Sequence, residues 1–96
     1  MICSETSIRT AHASGYLAEL AGRLSEPAAV GDGGHKAHFD IRGGHCDLQA
    51  DTERLVIACS GEQEEVVSEL RRLVEQNFPD QQPGDEIAIN WRTITL

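Results

Sequence analysis

Lys36-Ala37-His38-Phe39-Asp40-Ile41, His45-Cys46-Asp47-Leu48-Gln49-Ala50 and Leu55-Val56-Ile57-Ala58-Cys59 decide the fold of this chain. In the first two runs apolar and polar residues alternate with a period of two. That puts Ala37, Phe39 and Ile41, then Cys46, Leu48 and Ala50, on one side of a pleated sheet. Leu55, Ile57 and Cys59 continue the pattern. Ala28 to Val30, ahead of Gly31-Asp32-Gly33-Gly34, adds a short strand, so a meander of three or four strands is expected.

Outward from the meander the period becomes helical. Ala13, Tyr16, Leu17, Leu20 and Leu24 recur at three- and four-residue steps, which predicts a helix from Thr10 to Leu24 with Thr10 as its cap and Pro27 beyond its end. A second helix is predicted from Ser60, where Ser60-Gly61-Glu62-Gln63 has capping-box spacing. Its apolar stripe is Val66, Val67, Leu70, Leu73 and Val74, and Pro79 stops it. A polar loop then leads to a last strand, Glu86 to Thr93, with Ile87, Ile89 and Trp91 inward and Ala88, Asn90 and Arg92 outward. Tyr16 and Trp91 fall on these apolar positions and are read as core packing. The expectation is one α+β domain over residues 1–96. It is a two-layer sandwich in the order α-β-β-β-β-α-β, with an antiparallel sheet of four to five strands and two helices on one face.

The chain has 96 residues, 8 Lys and Arg against 16 Asp and Glu, and a net charge of -8. That balance repels phosphate backbones and anionic bilayers, so neither nucleic acid nor a membrane is an expected partner. Met1 to Arg9 carries neither a basic nor an apolar leader region, and a cytoplasmic location is expected. Cys3, Cys46 and Cys59 are odd in number and widely spaced, which fits reduced thiols rather than a disulfide framework or zinc knot. Cys3 is read as an exposed thiol near a frayed end.

Chemistry-bearing residues gather on the outward side of the meander. A two-residue loop at Gly43-Gly44 pairs Ile41 with Cys46, Phe39 with Leu48 and Asp40 with Asp47. Two carboxylates across a ladder want a cation between them. His38, Asp40, His45 and Asp47 are therefore the candidate metal ligands, with Arg42 or Arg92 as counter-ion in the alternative reading of a solvated surface. A four-residue loop, Asp51-Thr52-Glu53-Arg54, places Cys46 opposite Cys59 as a pair of buried, inert thiols. His35 falls on the other face from His38 and reads as a turn residue. Gly31-Asp32-Gly33-Gly34-His35-Lys36 resembles a phosphate loop only superficially, because a strand rather than a helix follows it. No pattern marks a catalytic nucleophile, no catalytic residue is assigned, and no cofactor is implied. The leading expectation is a non-catalytic binding or accessory module. It would use the open sheet face, with Lys36, Arg42, Asn90 and Arg92 as ligand-binding groups, for a small-molecule or protein ligand or for a homodimer burying Val56, Ala58 and Ala88. The alternative is a metal-binding protein or metal-dependent enzyme built on the Asp/His cluster.

Nearly the whole chain resembles the bacterial family known as domain of unknown function 2218. The likeness rests on Thr10, Ala13, Tyr16, Leu17 and Leu20, on Cys46, Leu48 and Ala50, and on Asp85, Glu86, Ile87, Ile89 and Trp91. The chain departs from the family pattern at Arg23 and Asn77, where histidines are usual, and in its acidic 79–85 loop. The resemblance implies a link to iron or siderophore handling.

Overall fold

The computed structural model describes residues 1–24, 29–31, 35–81, 83–85 and 87–95. Its elements are β1 (Ile2–Arg9), α1 (Ala13–Leu24), β2 (Ala29–Gly31), β3 (Lys36–Ile41), β4 (Gly44–Ala50), β5 (Arg54–Gly61), α2 (Glu64–Asn77) and β6 (Arg92–Thr95). The order α-β-β-β-β-α-β is present, with one more strand ahead of it. The strands form one sheet in the order β2-β3-β4-β5-β1-β6, and every pairing is antiparallel.

Alternation places the core as expected. Ala37 and Phe39, Cys46, Leu48 and Ala50, and Leu55, Ile57 and Cys59 are buried with Tyr16, Leu17 and Leu20 of α1 and Val67, Leu70 and Val74 of α2. Helix packing against one face of the meander removes both apolar stripes from water, which is the main term holding a domain this small together.

Several local expectations are corrected. The first is at the N-terminus, where Ile2–Arg9 is no frayed end. It is an inner strand, pairing β5 on one side and β6 on the other, and it seats Cys3 between Ser60 and Ile94. The second correction concerns the start of α2. Ser60 and Gly61 are still strand residues, and the helix begins at Glu64 after Gln63, which makes no side-chain cap bond. The capping box does not form because Ser60 is paired with His45 and Cys3, and its hydroxyl donates to the His45 carbonyl at 3.5 Å. The first helix is also shorter than expected, starting at Ala13. Thr10 lies ahead of it, and its hydroxyl accepts the His12 amide at 3.0 Å.

The last strand is displaced as well. Residues 87–91 are in neither helix nor strand, and pairing with β1 starts at Arg92. Ile87, Ile89 and Trp91 nonetheless lean on the core, while Ala88 and Asn90 are exposed. The β3–β4 register is offset by two residues. The loop is Arg42-Gly43, with Gly43 at φ 83°, so Ile41 meets Gly44, Asp40 meets His45 and His38 meets Asp47. Gly44 belongs to β4 because α2 lies over it: a Cβ there would come within 2.5 Å of Val66 and 2.9 Å of Leu70. Pro27, Asp32 to Gly34 and Glu86 lie outside the described residues.

Candidate functional site

Two groups of polar side chains stand out, one on each side of the sheet. The first lies on the face away from the helices. Cross-strand pairing draws three rows over it. Lys36, Gln49, Val56 and Ser7 form one, His38, Asp47, Ala58, Glu5 and Arg92 the next, and Asp40, His45, Ser60, Cys3 and Ile94 the last. Alternation puts each of these opposite the buried set, and among the described residues neither helix packs on this side.

The four candidate metal ligands do meet here. His45 is the hub: Nδ1 faces the Asp40 carboxylate and Nε2 the Asp47 carboxylate at 2.9 Å, while the His38 ring is tilted beside it with centroids 5.8 Å apart. The hydrogen bonds to Asp40 first, then to Asp47, hold the His45 imidazolium above its ordinary value of 6.5. Both ring nitrogens are thus taken as donors. Among the described residues no group of three or more His, Cys, Asp or Glu side chains has the geometry to hold a metal ion. Arg42, exposed in the β3–β4 loop, makes no ion pair here among the described residues, and both carboxylates face the one His45 ring instead.

Lys36, Arg42, Asn90 and Arg92 do not converge. Lys36 and Arg42 bracket β3, whereas Asn90 and Arg92 line a shallow groove of about 260 Å³ with Glu5, Thr6 and Ser7 at the opposite side of the sheet. With β3 and β6 four strand steps apart, the two pairs are separated by about 19 Å. A small molecule touches one pair or the other.

The second group was not foreseen from the sequence. One oxygen of Asp85 accepts from the Tyr16 hydroxyl at 2.7 Å, the Thr10 hydroxyl at 2.8 Å and His12 Nδ1 at 3.0 Å. The Asp85 side chain is only 13% exposed, and these three donors hold its carboxyl below the usual carboxylate range. The Tyr16 ring packs on Phe78 at 5.4 Å between centroids. A groove of about 430 Å³ opens beside the knot, lined by Ala11, His12, Ser14, Gly15, Tyr16 and Glu19. No local pattern reveals this arrangement, since Asp85 lies 69 to 75 residues from its donors. The available hint was that Thr10, Tyr16 and Asp85 all carry the family likeness.

In the core, Cys46 and Cys59 face one another as the pairing requires, with sulfurs 3.5 Å apart and both residues fully buried. The neighbouring Cys59 thiol and burial push the Cys46 thiol far up, so the Cys46 sulfur is not an available nucleophile at neutral pH.

Comparison with known proteins agrees with the fold. The family described as uncharacterized protein conserved in bacteria (DUF2218) matches residues 5–92. The NMR structure of PA4090 from Pseudomonas aeruginosa is similar, with a TM-score of 0.64 and 16% identity over 96% of each chain, a likeness of fold alone. No curated protein matches.

Proposed function

We propose, for a chain that belongs to the uncharacterised bacterial family DUF2218, a non-catalytic binding or accessory module whose working surface is the uncovered face of its sheet. The observation that carries this reading is the face itself. Its rows of charged and polar side chains surround the half-buried Val56 and Ala58 at the centre. Side chains standing on paired strands are held at fixed spacing, which gives a recognition surface its rigidity. The face spans roughly 600 Å² from strand spacing and rise, the lower end of what a specific dimer buries per copy. That area suits a second copy or a small-molecule or protein ligand.

Chemical-shift mapping tests the reading. The panel is ferric ion, a ferric catecholate and a ferric hydroxamate, included because the family resemblance implies iron or siderophore handling, together with a dilution series for self-association. Shifts confined to Asp47, Ala58, Glu5 and Arg92 and their row neighbours support it. Shifts confined to the His12–Asp85 groove, with the sheet face silent, refute it.

A second reading rests on one observation, the convergence of His38, Asp40, His45 and Asp47. For these to hold a divalent metal, His45 must give up one carboxylate and a proton, so uptake would be steeply pH-dependent. Calorimetric titration with zinc, manganese and ferrous ion decides it. Heat that Asp40→Ala abolishes supports a metal site, and no heat with any of the three ends it.

A further inference from the structure

Between α2 and β6 the chain runs through residues 78–91, whose described members belong to neither helix nor strand. Ile87, Ile89 and Trp91 of this segment lean on the core. Among the described residues, the backbone-to-backbone hydrogen bonds made outside helices and strands all lie elsewhere. Among the described residues, side chains hold the segment at three clasps. Asp85 takes its three hydrogen bonds from Thr10, His12 and Tyr16. The Gln81 amide grips Ile87 twice, donating to its carbonyl and accepting from its N–H, both at 3.1 Å. At the far end Trp91 Nε1 donates to Glu75 at 2.9 Å.

We infer that the described residues of the 78–91 segment form a strap that opens as one unit while the six-stranded sheet and both helices stay folded, and that the Asp85 knot is the clasp that keeps it shut. The physical ground is the contrast in how the parts are held. Helices and strands carry cooperative ladders, whereas a segment fastened by a few partly exposed side-chain bonds and by the half-buried Phe78, Ile87, Ile89 and Trp91 sits at the low end of local stability. The clasps are also unequal. Gln81 ties the strap only to itself, and Glu75 holds one end through a single exposed bond. Among the described residues, Asp85 joins the strap to α1 and the turn before it by hydrogen bonds, beside the packing of Phe78 on Tyr16. Opening uncovers the Tyr16 and Phe78 rings and loosens Asn90, which sits beside the sheet groove. The inference holds whatever the sheet face binds.

Trp91 is the single tryptophan of the chain, so its emission reports on the strap alone. In Asp85→Ala the emission is expected to shift to the red and acrylamide quenching to rise about twofold or more, while far-UV circular dichroism and the amide protection of β4 and β5 stay as in the wild type. Unchanged emission and quenching would overturn the inference, as would loss of strap and sheet signals in one transition. Native-state hydrogen exchange on the wild type gives a reading that no variant's misfolding can spoil. Ile87 and Ile89 amides are expected to exchange about a hundredfold or more faster than those of Ile57 and Cys59. Equal protection sinks the proposal.

Discussion

His45 carries two carboxylates on one ring, and its titration is the most direct residue-level consequence of the β3–β4 register. The imidazolium is favoured first by Asp40 and then by Asp47, so its folded value lies above that of the unfolded chain. The stabilisation is therefore complete below about pH 6.5 and is lost as pH rises through the raised value. Because the ring is 40% exposed, the contribution stays within the about 0–1 kcal/mol of surface ion pairs. Following the His45 ring proton by NMR should show a midpoint above the usual histidine value, and Asp40→Asn should lower it. A midpoint that ignores Asp40 would contradict the observed pairing. Asp85 has the opposite sign: its carboxyl is depressed by Tyr16, His12 and Thr10, so the knot contributes above about pH 3.9 and fails as acid titrates it below that. Thiol chemistry separates the cysteines. Ellman's reagent should label Cys3 in the folded protein and reach Cys46 and Cys59 only on unfolding, since both are fully buried. Rapid labelling of all three would contradict the packing. Alternation along β3 and β4 told correctly which side each residue faces. It could not tell that Asp40 sits opposite His45 rather than Asp47, because sliding a strand by two residues leaves both faces unchanged.

Among the elements, β1 shows why one strand was illegible. Its inward positions are Ser4, Thr6 and Ile8, so the buried side of Ile2–Arg9 is mostly small and polar, and no apolar alternation announces it. Ser4 is satisfied across the ladder by the Thr93 hydroxyl at 2.7 Å, which makes burial of that polar atom tolerable. An inner strand cannot accept proline without losing ladder bonds or clashing with a neighbour. Ser4→Pro, at a position paired with both Cys59 and Thr93, is therefore expected to destabilise the fold far beyond the about 0.5 kcal/mol of an ordinary surface change, read as a collapse of the thermal unfolding midpoint. A midpoint near wild type would mean that β1 is not between β5 and β6. The start of α2 was misread for a related reason: a capping-box spacing at Ser60 is a local signal, and pairing of β5 on both sides overrides it. Gly44 tests the seat of α2 on β4. Gly44→Ala drives a methyl into Val66 and Leu70 and should cost about 1–3 kcal/mol, measured by chemical denaturation. No measurable cost would place α2 elsewhere.

At the scale of the whole molecule the two faces of the sheet have different jobs. One is dry and packed by both helices, and its residues were readable because large apolar side chains recur at period two in the strands and at three to four in the helices. The other is a lattice of charged and polar groups. Its composition was legible, but its rows depend on the order β2-β3-β4-β5-β1-β6, which no local pattern encodes. Stability should respond accordingly along a single strand. Ile57→Ala should cost about 2–5 kcal/mol, whereas Val56→Ala, one residue earlier and on the outer side, should cost under about 1 kcal/mol. The segment after α2 escaped sequence analysis because its clasps join residues far apart in the chain.

One side of the sheet is bare in the single molecule, and the proposed binding role depends on that. Paramagnetic relaxation by an inert soluble gadolinium chelate, read on side-chain methyls at low protein concentration, tests it most directly. Val56 and Ala58 should broaden strongly while Leu48, Leu55 and Ile57 stay sharp. Val56 and Ala58 as protected as Ile57 would mean that something in the same chain covers the face, and the binding surface would have to be sought elsewhere.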